Sequence, residues 1–166
     1  VVGGLNDIGG VFKSAEIFDS LLDTWTTASP KEGGSAFHTA VKLPDGRVLV
    51  MGGIGQSGLP SRVAEIYDPE TDTWTPAAFT KDDHPGTTAV LMPDGRVLIA
   101  GGGDLVTTSG TVEIYDPSID SWELVGALRV PRGLHAVTVM DNGRILITGG
   151  GDLDGPLNSV EIFDPE

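Results

Sequence analysis

The phrase AEIYDPETDTW, residues 64–74, recurs along this chain as AEIFDSLLDTW at 15–25, VEIYDPSIDSW at 112–122 and VEIFDPE at 160–166. Trp25, Trp74 and Trp122 are separated by 49 and 48 positions, and Asp19, Asp68, Asp116 and Asp164 by 49, 48 and 48. Gly-Gly pairs at 3–4, 52–53, 101–102 and 149–150 keep the same step, as do the turns PDGR at 44–47, PDGR at 93–96 and DNGR at 141–144. Such a period constrains the fold more than any other feature. Each copy is one small unit that cannot bury its apolar faces alone, so successive copies must stack on one another. The copies divide the chain into units 1–34 (partial), 35–83, 84–131 and 132–166 (partial).

Each full copy holds four strand-like pieces. HTAVKL (38–43) leads into a turn at Asp45-Gly46, a pair that favours positive φ and suits a tight hairpin. RVLVMGG (47–53) is an almost unbroken apolar run, as expected of a strand covered on both faces. VAEIYDP (63–69) and DTWTP (72–76) follow, joined by an Asp-Pro turn whose aspartate can accept from the backbone ahead. With 24 glycines, 11 prolines and no helical period over ten residues, the chain reads as all-β, in four-stranded antiparallel units. A unit of that kind repeating near 50 residues is the pattern of a propeller blade. The aromatic residues Phe18, Tyr67, Tyr115 and Phe163, with the tryptophans, are expected to fill the space between blades.

The net charge of −14 argues against a nucleic acid or an anionic membrane surface as partner, since phosphates would be repelled. No apolar run approaches the roughly 20 residues of a membrane helix. Without cysteine the chain has neither disulfides nor thiol chemistry. It begins at Val1 and carries no signal peptide, and is expected to be a processed or excised segment.

An apolar strand ending in Gly-Gly, then a spaced tyrosine and tryptophan (VLVMGG, Tyr67, Trp74 and their counterparts), resembles the kelch repeat, over essentially the whole chain. Neither the Trp-Asp dipeptide of WD40 repeats nor the Ser-x-Asp-x-Gly-x-Thr-Trp box of sialidases fits. The wording HTAVKLPDGRVLVMGG is similar to kelch-type repeats of bacterial secreted and surface proteins, which implies an extracellular or cell-surface location. The resemblance implies a propeller of six or seven blades, of which this chain spells about 3.4. Two copies would supply about 6.8, hence the expectation of a homodimer through open blade edges, closing a ring of about seven. Galactose oxidase shares this repeat but needs a cysteine-linked tyrosine for its copper radical, and this chain has no cysteine.

Residues present in every copy are expected to be structural. Glu16, Glu65, Glu113 and Glu161 recur in phase, so their expected role is a repeated hydrogen bond or ion pair, with Arg47, Arg96 or Arg144 as partner. Function is expected where copies differ. Aligned on the Asp-Gly turn, His38, Thr87 and His135 begin the innermost strands, and Ser35, His84 and Arg132 stand three residues earlier. These six are the candidate ligand-binding residues, flanked by SPKEGGSA (29–36), FTKDDHPG (79–86), LRVPRGL (128–134) and the loops after each Gly-Gly. GIGQSG (53–58) matches GxGxxG, but a strand and not a helix follows it, so no dinucleotide site is expected. Asp104, Asp152 and Asp154 offer oxygen ligands to calcium but lack a fuller set. No Ser-His-Asp arrangement is identifiable, and no catalytic residue, metal or cofactor is assigned. The leading expectation is a non-catalytic module recognising a protein or glycan. The alternatives are part of a larger propeller oxidase or lyase whose catalytic residues lie elsewhere, and a half-propeller that homodimerises. Fold alone cannot choose among them.

Overall fold

The computed structural model describes residues 1–103 and 107–165. Among them the first sheet pairs β1 (Ala15–Asp19) with β2 (Thr24–Ala28). The second is β3 (Thr39–Lys42), β4 (Val48–Met51), β5 (Ala64–Asp68) and β6 (Thr73–Ala77), in that spatial order. The third holds β7 (Thr88–Leu91), β8 (Val97–Gly103), β9 (Thr108–Asp116) and β10 (Ser121–Ala127). In the fourth, β11 (Ala136–Val139) and β12 (Ile145–Thr148) pair in turn with β15 (Val160–Phe163), and β13 (Gly151–Asp152) and β14 (Gly155–Pro156) form a small hairpin in the intervening loop. Every pairing is antiparallel. No described residue is helical. The architecture is that of a partial kelch-type propeller, as the repeat implied.

The core lies between sheets. Leu49, Met51 and Ile66 of the second sheet pack on Val97, Ile99, Tyr115 and Trp122 of the third. Leu98, Val112 and Ile114 on the other side of the third sheet pack on Val137, Ile145 and Ile147 of the fourth. Strand β8 is therefore buried along its full length, which is why its sequence shows no alternation. The inner strands also touch: Thr88 Oγ1 donates to the His135 carbonyl at 3.0 Å, and Thr39 Oγ1 accepts from Ala89 N at 3.1 Å.

The inner hairpins differ from expectation in one detail. Leu43 N donates to the Arg47 carbonyl and Gly46 N back to Leu43, while only Gly46 takes positive φ, at 95°. The loop is thus Pro44-Asp45-Gly46, three residues with glycine at the left-handed last place, and Asp141-Asn142-Gly143 closes in the same way without a proline. The outer turns behave as read: Asp68 Oδ1 accepts from Glu70 N at 2.9 Å, and Asp116 Oδ1 from Ser118 N at 2.8 Å.

A clamp between neighbouring copies explains the tyrosine and tryptophan. Tyr67 and Trp74 stack with ring centroids 5.0 Å apart. Trp74 Nε1 donates to the Ser29 carbonyl (2.7 Å), and Asp72 Oδ1 accepts from both Ser29 N (2.8 Å) and Tyr67 OH (2.7 Å). One copy later, Trp122 Nε1 donates to the Ala78 carbonyl (2.9 Å) while Asp120 Oδ1 accepts from Ala78 N and Tyr115 OH, each at 2.8 Å. Burial first, and then the neighbouring Asp72, push the Tyr67 phenol up to about 12; Tyr115 is raised by burial and Asp120. The neutral phenol is what the clamp needs, so its stability is whole below the ordinary tyrosine value near 10 and is lost as pH rises toward 12. These are the chain's only two tyrosines. Tyrosinate absorbance is therefore expected to be silent near pH 10 and to appear together with loss of the β-sheet circular dichroism signal. Absorbance that rises while the fold is intact would contradict the clamp.

Candidate functional site

The starts of β3, β7 and β11 and the ends of β4, β8 and β12 lie at one end of the sheets, because consecutive strands run antiparallel. The inter-copy loops and the loops after Gly-Gly therefore share one face, as Ala36 and Ile54 show by exchanging backbone hydrogen bonds. Gly133 and Gly151 do the same in the last copy. The opposite face carries the short turns and is where Arg47 pairs with Asp45 and Arg96 with Asp94, each at 2.7 Å.

Those arginines are thus spent locally, and the recurrent glutamates find other partners. Glu65 pairs with Lys31 at 3.1 Å, Glu113 with His84 at 2.9 Å and Glu161 with Arg132 at 2.9 Å. Each carboxylate also takes backbone N–H groups of the incoming loop: Glu32 for Glu65, Lys81 and Asp82 for Glu113, Arg129 and Val130 for Glu161. The glutamate is a latch that fixes the loop face to the third strand of each sheet. Arg144 has no part in it, and the Glu16 side chain is exposed. Glu161 is partly buried, and although desolvation pushes its carboxyl up, the Arg129 and Val130 amides and then Arg132 outweigh it and hold it below the usual carboxylate range.

The six candidate residues sit just beneath this face. Arg132 is fully buried. Its guanidinium donates to the carbonyls of Val130, Gly149 and Ser159, to Ser159 Oγ and to Glu161 Oε1, at 2.8–3.2 Å. His84 is equally buried, its Nδ1 against the Gly101 carbonyl and its Nε2 against Glu113. Ser35 accepts from Lys31 Nζ at 2.9 Å and lies 3.2 Å from His38 Nδ1. Thr87 donates to the Ala100 carbonyl at 2.9 Å.

His38 and His135 pack across copies. Gly101, at φ +64°, leaves the room: a Cβ there would stand 2.6 Å from the Arg132 carbonyl and 3.2 Å from His135 Cε1. Gly3 opens the same space for the His38 ring. Burial depresses the proton affinity of His38, with Lys31 adding to it. Burial also depresses His135, where the Ala100 carbonyl opposes it and Arg132 adds to it. That carbonyl is near, yet neither ring nitrogen of His135 makes an aligned hydrogen bond. Both rings are thus neutral.

Two residues of this face escaped the sequence reading. Phe37 and Leu134, just before the inner strands, both sit at φ +54° and are 52% and 74% exposed. Their counterpart is Gly86, at φ +62°, and the three are strung together, Gly86 N donating to the Phe37 carbonyl and Leu134 N to the Gly86 carbonyl. The alignment of Gly86 with Phe37 and Leu134 was the available signal, since glycine there marks a left-handed backbone. The other motifs resolve simply. Residues 53–58 form a tight loop closed by Gly58 N to the Gly55 carbonyl. Asp152 Oδ1 accepts from Asp154 N and Gly155 N, capping the small hairpin. Asp104 lies outside the described residues. Among the described residues no group of three or more His, Cys, Asp or Glu is placed to hold a metal, and no helix is long and apolar enough to cross a membrane.

No curated protein matches the chain. The family described as the Kelch motif matches residues 38–78, 87–129 and 131–166, one match for each of the second, third and fourth sheets and well over half of the chain in all. With its in-phase Gly-Gly, tyrosine and tryptophan markers built into antiparallel four-stranded sheets, this chain belongs to the kelch-repeat family.

Proposed function

We propose that this chain is a non-catalytic interaction module whose loop face recognises a protein or glycan. Kelch repeats typically serve as protein-interaction modules. The observation that carries the reading is the pair Phe37 and Leu134. A left-handed backbone at a residue bearing a side chain costs about 1–2 kcal/mol. Gly86 takes the same conformation without that cost. Much of these large apolar side chains is left in solvent there, surface that a partner would cover. Ser35, His38, His84, Thr87, Arg132 and His135 form the layer beneath, positioning the loops that carry the contacts.

The test is a screen of the immobilised chain against glycan and displayed-peptide libraries, repeated with Phe37→Gly and Leu134→Gly. Each substitution is expected to raise stability by about 0.5–1 kcal/mol through relief of the backbone, and the pair to weaken binding at least tenfold. Ligands that bind the double variant as tightly as the parent chain would place recognition on another surface.

One observation favours a second reading, self-association. Phe18 and Trp25 are about half exposed, beside a groove of about 540 Å³ lined by Val2, Ala15, Ile17, Val50 and Trp74. Two equal copies about a two-fold axis contribute equal numbers of blades, so a ring closed that way has six or eight, not seven. Light scattering decides: a discrete dimer supports closure, a monomer excludes it.

A further inference from the structure

The three inner hairpin turns share a shape but not a charge pattern. In two of them Asp45 and Asp94 each accept, through one carboxylate oxygen, from the backbone two residues ahead: Arg47 N at 3.1 Å and Arg96 N at 3.0 Å. The other oxygen takes the guanidinium of the same arginine, with Nε at 2.8 Å in one turn and 2.7 Å in the next. In the last turn Asn142 stands in that place, and its Oδ1 likewise accepts from Arg144 N, at 3.2 Å. Its remaining side-chain atom is then Nδ2, a donor where the other copies present an acceptor. Turning the amide over would offer the guanidinium an oxygen only by surrendering the Arg144 N–H. Among the described residues no carboxylate pairs with Arg144. Its side chain lines a cleft of about 510 Å³ on the turn face, together with Asp94, Arg96 and Asp164.

We propose that Asn142 is a deamidation site, and that its aspartate product completes with Arg144 the ion pair that the other two turns already hold. Asparagine is a thermally labile residue. Of the three in this chain, at 6, 142 and 158, only Asn142 precedes a glycine. Its side chain is exposed, and a Cβ added to Gly143 would meet nothing within 4 Å, so a cyclic imide has room to form. Gly143 N attacks Asn142 Cγ: the N–Cγ bond forms, Cγ–Nδ2 breaks, and Nδ2 leaves as ammonia with the amide proton. Water then adds to Cγ, breaking N–Cγ and returning a proton to Gly143 N, which leaves an aspartate. Water adding instead to the main-chain carbonyl carbon gives isoaspartate. That longer backbone cannot keep both loop bonds, Met140 N to the Arg144 carbonyl and Gly143 N to the Met140 carbonyl. The second of these holds the attacking nitrogen at 2.9 Å, so the reaction waits on opening of the loop and runs more slowly than in a free peptide. The site lies on the face opposite the loops and does not depend on the interaction reading.

The test incubates the folded chain in mildly alkaline buffer at physiological temperature and follows it by anion-exchange chromatography and peptide mapping. A species one negative charge beyond the parent's −14 is expected, with the amide-to-acid mass change confined to the peptide carrying Asn142. Asn6 and Asn158 are the internal controls, and the synthetic peptide 138–146 is expected to convert faster. Asn142→Asp, the product made directly, is expected to raise the melting temperature by about 1–2 °C over the parent chain. Arg144→Met in the same chain should abolish that gain. Acid should abolish it too, since the Arg47 guanidinium bonded to Asp45 holds that carboxyl below the usual range, and the new aspartate is expected to share the shift. The gain is then whole above the ordinary aspartate value of about 4 and is lost as pH falls through the lower folded value. Four results overturn the proposal: no acidic species from the folded chain while the peptide converts fully, conversion to isoaspartate alone, Asn142→Asp no more stable than the parent, or a gain that survives Arg144→Met.

Discussion

Trp122→Ala is expected to lower stability by about 3–5 kcal/mol, read as a shift in the urea midpoint. The side chain is 2% exposed, packs into the core between the second and third sheets, and donates to the Ala78 carbonyl. Removing it leaves a cavity and orphans a carbonyl at once. The same substitution at the equivalent positions should cost progressively less. Trp74 is half-buried with its own bond to Ser29, and Trp25 is 54% exposed with no such bond to a described residue. A graded series 122 > 74 > 25, with Trp25→Ala under about 1 kcal/mol, is the expected order. Equal losses at all three would mean that the tryptophan acts within its own sheet, through the stacked tyrosine or phenylalanine, and not between copies.

Arg132→Ala is the second large effect, also about 3–5 kcal/mol, because it leaves the Glu161 carboxylate and the carbonyls of Val130, Gly149 and Ser159 without their cation. The Glu161 carboxylate retains the Arg129 and Val130 amides, so Arg132→Ala combined with Glu161→Ala should cost less than the sum of the two singles, by 0.5–3 kcal/mol of coupling. Arg132→Lys is not conservative here, since an ammonium cannot span acceptors set for a fork. His135→Ala makes the contrast: with no aligned hydrogen bond to lose, it gives up packing alone. The outcome also bears on the six candidates of the sequence. Side chains that touch a ligand directly should lose affinity with little loss of stability when truncated. Arg132 is expected to do the reverse.

The strands were legible because their markers recur in phase and their alternation follows burial. VLVM and VLIA lie between two sheets and read as unbroken runs, and PDGR and DNGR close the same three-residue loop in each copy. The aromatic clamp was half legible. That tryptophan fills the space between copies could be read from its period, but not that its indole and Asp72 grip both backbone atoms of Ser29. The latch was hidden for a specific reason. The glutamate keeps its spacing while its partner changes type and, in the second sheet, position: lysine at 31 but histidine and arginine at 84 and 132. His84 and Arg132 each precede their glutamate by 29 residues, but a histidine and an arginine do not read as one recurring partner, and Lys31 breaks the interval; the nearest recurrent arginines, at 47 and 96, are taken by the aspartates of their own turns. Phe37 and Leu134 read as ordinary loop residues because a backbone sign is invisible in a side chain, and only Gly86 hinted at it.

The clamp has a consequence for how the chain is made. Ser29 ends an outer strand of one copy, yet both its backbone atoms are held by Asp72 and Trp74 of the next, and Ala78 depends in the same way on Asp120 and Trp122. A copy leaving the ribosome can form its hairpins at once, but its last strand stays loose until the following 48 or 49 residues have emerged and folded against it. Synthesis therefore always runs with one unfinished copy at the growing end, its apolar face uncovered. Pausing between copies prolongs that exposure, while steady elongation shortens it.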